Sequence, residues 1–327
     1  MTRSPIRRRL LTVPLLALAA GGPAVADETF PSRPVTIVVP YAAGGITDTL
    51  ARLAAKRLTE RWRQQVIVDN RPGRGTVIGT SIAARAPADG HTLLLTSFGF
   101  VANQVMLPSL PYAPSALEPL ALLGDAPGVL YVHPSVPATT VPEFARWLRE
   151  RRAPATFASS GNGSSVHVMA ELFAAAIGVE IVHVPYKGNA PALADLIGGQ
   201  VNAMFDSPAN MQHARGGRLR ALGVTSAERS VLVPELTPIA QSGESALAGF
   251  QAASWFGFLV PSGTPKAVQA KLHADIQAAM TPQAARDELV GAGIEPRPLS
   301  QAEFADYLRR QLAVWGPVIR AKNIKPD

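Results

Sequence analysis

Short apolar runs alternate with stretches of helical spacing along almost the whole chain. VTIVVP (35–40), QVIVDN (65–70), HTLLLTS (91–97) and GVLYVHP (128–134) each read as a strand, as do ATFASS (155–160), EIVHVPYKG (180–188), VNAMFDS (201–207) and LRALGVTS (219–226). Between them lie helical patterns. From Thr47 onward, Leu50, Leu53, Ala54 and Leu58 fall on one face, and VPEFARWLRER (141–151) predicts a helix entered through Pro142. Val166, Ala170, Phe173 and Ile177 form a third stripe, closed by Gly178. A long apolar run, SWFGFLVPSGTP (254–265), is followed by three more helical patterns. Continuous Val/Ile/Leu runs separated by helices predict an α/β chain with parallel sheets covered on both faces.

Two of the strand-to-helix junctions are chemically alike. After the first strand comes Tyr41-Ala-Ala43-Gly44-Gly45, and the helix opens with Thr47 and Asp48. After ATFASS comes GNGSS, and a helix opens at Ser164 or Ser165. Glycine serves where backbone turns sharply or approaches something closely. A helix N-terminus leaves unpaired N–H groups and partial positive charge facing its loop, which together suit an anion. Ligands of open α/β sheets sit at the carboxyl ends of strands, so two such ends facing each other predict a cleft.

Composition narrows the picture. Arg3, the Arg7–Arg9 cluster, a run of ~10 apolar residues too short to span a bilayer, and the small-x-small Ala24–Ala26 read as a secretory signal peptide. Residues 1–26 are therefore expected to be removed after Ala26, with Asp27 as the mature N-terminus. The formal charge of +7 includes four arginines and no acids in that segment, so the mature chain carries 7 − 4 = +3. That balance, without a basic stripe interleaved with aromatics, argues against nucleic acid. With no cysteine, disulfides, thiolate metal sites and cysteine nucleophiles are excluded. The six histidines show no metal-binding spacing, and neither a metal nor a cofactor is expected.

At this point the residues resemble a family. FPSRPVTIVVPYAAGGITDTLARLAAKRL, VIVDNRPGRGTVIGTSIAARAPADGHTLL, ASSGNGSSVHVMAELFAAAIGVEIVHVPYKGNAPALADLIGGQV and GRLRALGVTSAERSVLVPELTPIAQSG resemble, in order, the periplasmic solute receptors of tripartite tricarboxylate transporters, the Bug-type receptors. The resemblance implies a two-lobed periplasmic binding protein (Venus flytrap) fold with two crossing strands, placed near 126–134 and 250–260. Lobe 1 would comprise 27–127 plus 255–327, with the C-terminal helices returning to it, and lobe 2 would comprise 128–254. It implies a periplasmic protein, expected as a monomer, that binds a small organic carboxylate and delivers it to membrane permease subunits. Carried onto this sequence, the site residues are Tyr41, Ala43, Gly44, Gly45, Thr47 and Asp48 in the first loop. The second loop gives Ser159, Ser160, Asn162, Gly163, Ser164 and Ser165, with His167 behind it. Lys187 and Gly188 in the PYKG turn, Asp206, and Ser97 and Phe98 in SFGF (97–100) complete the set. Relatives often carry a polar residue before the glycine of that last loop. Here Phe98 and Phe100 suggest an apolar wall, suited to an aromatic or long-chain dicarboxylate rather than citrate.

Two other readings are weaker. GRGTVIG (73–79) nearly matches a dinucleotide fingerprint but spaces its third glycine one residue too far, so Asp69 and Arg71 are expected only to fix a turn. An exported hydrolase of carboxylate esters using Ser164 and His167 is the alternative function. GNGSS is not a G-x-S-x-G elbow, however, and the sequence places no orienting acid near the pair.

Overall fold

The computed structural model describes residues 30–326. The expected signal peptide and its cleavage site lie outside the described residues. Among the described residues, eleven strands form two sheets. In the first, β1 (Val35–Val39), β2 (Val66–Asn70) and β3 (Thr92–Thr96) are parallel neighbours in the order β2-β1-β3. The sheet continues antiparallel through β10 (Ala253–Pro261) and β4 (Leu117–Pro127) to the short β11 (Glu295–Pro296). In the second sheet, β6 (Ala155–Ser159) lies parallel between β7 (Ile181–Pro185) and β8 (Ala203–Asp206). Beyond β8, β5 (Val129–Val132) and β9 (Arg220–Val224) complete it. The expectation of parallel sheets thus holds for the strands that alternate with helices. The strands that join the two halves run antiparallel and make both sheets mixed.

The two sheets are built on one plan. Each has a central strand, β1 or β6, flanked by parallel neighbours, then a strand running the other way. β1 leads into α1 (Ile46–Trp62) and β6 into α5 (Ser165–Ile177). Leu50, Ala51, Ala54 and Leu58 bury one face of α1 fully, while the sheet-facing β1 and β3 side chains are also inaccessible. α5 is capped at both ends by local chemistry: the Ser164 hydroxyl accepts from the His167 amide, and Gly178 takes the left-handed conformation (φ 71°) that closes the last turn.

Other helices follow the same rules. α2 (Val77–Ala84) and α3 (Gly99–Met106) follow β2 and β3, and α4 (Val141–Glu150) is capped by Thr140 with Pro142 in its first turn. α6 (Asn189–Ile197) and α7 (Met211–Arg215) flank β8. α8 (Lys266–Met280), α9 (Gln283–Gly291) and α10 (Gln301–Ala321) end the chain, the last opened by a reciprocal Ser300/Glu303 capping box.

The chain passes between sheets twice, side by side. β4 pairs along its length with β10, from Leu117 opposite Pro261 to Pro127 opposite Ala253. Gly128 then enters the second sheet, and Thr225 ties the crossings together. Its hydroxyl accepts from the Gly128 amide (2.8 Å) and donates to the Ala252 carbonyl. α8 packs on α1, and α10 does more. Its Trp315, Val318 and Ile319 share one apolar cluster with Phe98, Ala102 and Met106 of the first half and with Val168, Phe173 and Phe205 of the second. Phe98 meets Trp315 edge-on at 5.1 Å between ring centres.

Candidate functional site

A cavity of about 830 Å³ lies between the two sheets, at the carboxyl ends of β1, β3 and β6. Five helices present their first residues to it. The cap positions Gly45 (α1), Thr76 (α2), Phe98 (α3), Ser164 (α5) and Gly188 (α6) all stand on its wall. First-turn N–H groups have no carbonyl to reach within their own helix. Only α5 answers this with a side-chain cap; α2 and α3 turn first amides onto the carbonyls of Gly73, Arg74, Ser97 and Phe98, and α1 and α6 have no side-chain cap. Among the described residues lining the cavity there is no Arg, Lys, His, Asp or Glu. Polar atoms come instead from Tyr41, Thr47, Thr76, Ser97, Asn103, Ser160, Asn162, Ser164, Ser165, Asn189 and Ser254, and apolar surface from Phe98, Ala102, Met106, Phe256 and Pro326.

Of the residues expected at the site, the structure brings Tyr41, Gly45, Thr47, Ser97, Phe98, Ser160, Asn162, Gly163, Ser164, Ser165 and Gly188 onto this wall. Tyr41 is a neutral hydroxyl there: burial pushes it up to about 12, against the partial relief of hydrogen bonds around Thr96, Gly99 and Ser97. The remaining expected residues do not reach the wall, for different reasons. Ala43 and Gly44 sit at the exposed crest of the first loop, and it is Gly44, not Gly45, that adopts positive φ (82°). Asp48 turns back on its own loop, accepting from the Gly44 amide (2.9 Å) and pairing with Arg52 at 3.0 Å. Burial alone would push Asp48 up; Arg52, the Gly44 amide and Asn70 outweigh it and hold the carboxyl below its ordinary value.

Ser159 is fully buried beneath the second loop, where its hydroxyl bonds the Gly161 carbonyl (3.0 Å) and the His183 ring (2.6 Å). His167 accepts from the Gly163 amide (3.1 Å) and stacks flat on His183, 3.5 Å between ring centres. It faces a polar recess with Glu171, Glu180 and Lys322 that adjoins the cavity through Asn162 and Pro326, which line both. Lys187 is exposed, and its neighbour two residues on, Asn189, takes the place at the wall. Asp206 lies one layer behind, almost wholly buried. It receives the Asn189 side-chain amide, the Ser207 amide (2.8 Å) and the Asn210 side-chain amide (2.7 Å). Burial pushes it up to about 6, against the lowering effect of those three donors.

Phe100 is a further correction. It points into the apolar cluster of Trp255, Phe304 and Tyr307, so the expected aromatic pair reduces to Phe98, with Phe256 of β10 as the second ring on the wall.

The loop between β2 and α2 was missed. Its RPGRGT sequence resembles a failed nucleotide motif, yet Gly73, Arg74, Gly75 and Thr76 all have positive φ (127°, 47°, 58° and 84°). Two of these are not glycine, a strained arrangement of the kind that persists only where its surroundings impose it. Asn103 imposes it here, donating to the Gly75 carbonyl and to the Thr76 hydroxyl (3.1 Å). The available signal was the paired glycines directly before a helix. For Ser254 and Phe256 it was strand alternation, and for Ala102 and Met106 helical spacing.

Residues 50–324 match the profile of the tripartite tricarboxylate transporter family receptor. The chain belongs to that family. A protein of Pseudomonas sp. is 37% identical over 316 residues, 96% of this chain and 94% of its own. BugT of Bordetella pertussis is 34% identical over 323 residues, 97% and 98% of the two chains. Among solved structures, an R. palustris protein with adipate is 35% identical, with a TM-score of 0.76 over 91% of this chain and 100% of its own. MatC from Rhodopseudomonas palustris, with bound malate, is 32% identical, with a TM-score of 0.71 over 89% and 100%. The family is one of solute receptors, and this receptor shares its two-lobed α/β fold with the solved relatives.

Ser164 is employed differently from a nucleophile. Its hydroxyl donates to the Gly161 carbonyl (2.8 Å) while accepting from the His167 amide (3.3 Å), so it shapes the turn and caps α5.

Proposed function

We propose that this receptor binds a small organic dicarboxylate in the interlobe cleft and hands it to the membrane permease subunits of a tripartite transporter. One observation carries the reading: five helix N-termini converge on a wall that, among the described residues, holds no charged side chain. Such a wall meets negative charge with N–H groups, hydroxyls and dipoles, each dipole contributing ~0.3–1 kcal/mol exposed and up to ~2 when partly buried. Tyr41, Gly45, Thr47, Ser97, Ser160, Asn162, Ser165 and Gly188 are assigned to ligand contact, and Ser164 to shaping the α5 end of the wall. Adipate and malate in the two solved relatives agree with a dicarboxylate, and the Phe98 and Phe256 rings favour one with an apolar middle. Export by a signal peptide ending at Ala26, a periplasmic location, a monomeric state, and lobes of 27–127 plus 255–327 and of 128–254 are parts of the same proposal.

A thermal-shift screen of mono-, di- and tricarboxylates against the purified protein tests it. Dicarboxylates, adipate-like ones above citrate, should raise the melting temperature, and carboxylate esters should not be turned over. Stabilisation by a sugar or a metal with none by carboxylates would overturn the reading, and ester hydrolysis would restore the hydrolase alternative.

A further inference from the structure

The end of the described chain enters the cleft. α10 stops at a left-handed residue, Asn323 (φ 47°), and the Ile324 amide returns to the Ile319 carbonyl (3.0 Å), which reverses the chain direction. The segment is then anchored on both halves of the molecule. Ile324 is buried in the cluster that holds Met106 of α3, while Lys322 pairs with Glu180 at 2.7 Å and lies 3.5 Å from Glu171. Two residues later Pro326 stands on the cavity wall, between a loop of the first half and a loop of the second.

The fit there is tight on both sides. A Cβ on Gly75 would lie 3.2 Å from the Pro326 Cβ. A Cβ on Gly163 would lie 2.9 Å from the Pro326 Cα and 3.1 Å from its nitrogen, backbone atoms that cannot swing aside. Both glycines have positive φ (58° and 69°), so two loops from opposite halves each combine a left-handed turn with missing side-chain volume at the same point. Proline suits the position because its fixed φ leaves little freedom to lose on ordering.

We propose that Pro326, held by the turn at Asn323 and by Ile324, is a wall of the ligand cleft shared by both lobes, and that this wall sets the length of ligand the cleft accepts. The proposal rests on the dicarboxylate reading of the cleft. A chain whose first carboxylate sits on the helix N-termini and which extends toward Met106 meets the proline ring there, and a longer chain meets it sooner.

The test is calorimetric titration of the unmodified protein, Pro326→Gly and Pro326→Trp with a series of straight α,ω-dicarboxylates from succinate to sebacate. The ratio of sebacate to succinate affinity is read, because a general loss of stability cancels from it. Pro326→Gly should raise the ratio about tenfold and Pro326→Trp should lower it by a similar factor, each about one decade of Kd. Ratios in both variants within about twofold of the unmodified protein, less than a third of that free-energy change, would overturn the proposal.

A second arm needs no ligand. Gly75→Ala and Pro326→Gly, separately and together, form a double-mutant cycle on the melting temperature. Contact between the two residues should make Gly75→Ala less damaging when Pro326 is already glycine, whereas strict additivity would overturn the shared wall. If no dicarboxylate binds the unmodified protein while the cycle shows coupling, the dicarboxylate reading falls and the wall stands. If binding occurs but the ratios do not move, the reading stands and the length gauge falls.

Discussion

Each side of the cleft keeps one carboxylate just behind its wall, and the two are treated in opposite ways. On the first side Asp48 sits in the opening turn of α1, bonded to the Gly44 amide and paired with an exposed Arg52, which hold its charge in place. On the second side Asp206 ends β8 with no cation beside it, held by three neutral N–H donors and pushed up to about 6 by burial. The difference follows from where the strands lead. A carboxylate at a helix N-terminus near solvent is favoured by the dipole and can recruit a surface arginine one turn on. A carboxylate at the end of an interior strand is desolvated, and hydrogen bonds only partly compensate. In both cases the described residues of the wall itself carry no charge. Asp48 is neutralised from behind by Arg52, and Asp206 is screened by Asn189, which takes the position at the cleft.

The sharpest way to break this contrast is pH. Because the folded-state pKa of Asp206 is raised from 3.8 to about 6, the folded protein holds that proton more tightly than the unfolded chain. Its contribution is therefore most favourable below about pH 4, weakens as pH rises through about 6 and then levels off, a change of at most about 3 kcal/mol. Asp48, with a lowered pKa, has the opposite sign: its contribution is present above the unfolded value and lost in acid. Across that window the melting temperature of Asp206→Asn should gain on that of the unmodified protein as pH rises from about 4 to about 6, whatever the substitution costs in absolute terms. An unchanged slope would mean that Asp206 is not the desolvated group.

The next largest effect concerns the first loop. Gly45 has ordinary φ (−79°), and a Cβ there would meet only the Ala42 carbonyl, at 3.5 Å. Gly45→Val should therefore leave the fold intact while its side chain occupies the uncapped end of α1, weakening dicarboxylate binding about a hundredfold, ~2.7 kcal/mol. Undiminished affinity would show the loop to be a connector only. On the second side the cap is already made, so Ser164→Ala should act mainly on stability, lowering it by about 1 kcal/mol in chemical unfolding. A loss of binding larger than the loss of stability would show that the Ser164 hydroxyl belongs to the ligand and not to the helix.

Much of this architecture was legible in the sequence because burial on both faces writes itself as continuous Val, Leu and Ile. VTIVV, TLLLT and ATFAS were readable for that reason, and the helices after VTIVV and ATFAS followed from the glycines and serines between. What was not legible depends on neighbours distant in sequence. β4 reads weakly as a strand because its eleven residues include Glu118, Pro119, Gly124 and Asp125, and its long pairing with β10 sustains it. Phe98 and Phe100 look equivalent in the sequence, but the start of α3 sends one to the cleft and the other into the core. His167 follows Ser164 by three residues, yet its ring is drawn to His183 on β7, a contact no local pattern announces. Nor does any local feature signal Pro326, whose place is set by the packing of α10 across both halves.

The central claim is that this cleft recognises an anion without a cation on its wall, and salt tests it most directly. Charges screened by solvent lose their attraction as the Debye length falls from ~14 Å at about 0.05 M to ~4 Å at about 0.5 M ionic strength, whereas fixed N–H groups and dipoles in an enclosed site are screened far less. Adipate affinity measured by calorimetry at those two concentrations should change less than about threefold, ~0.6 kcal/mol. A loss of more than about tenfold, ~1.4 kcal/mol, would show that a lysine or arginine holds the ligand and would contradict the account.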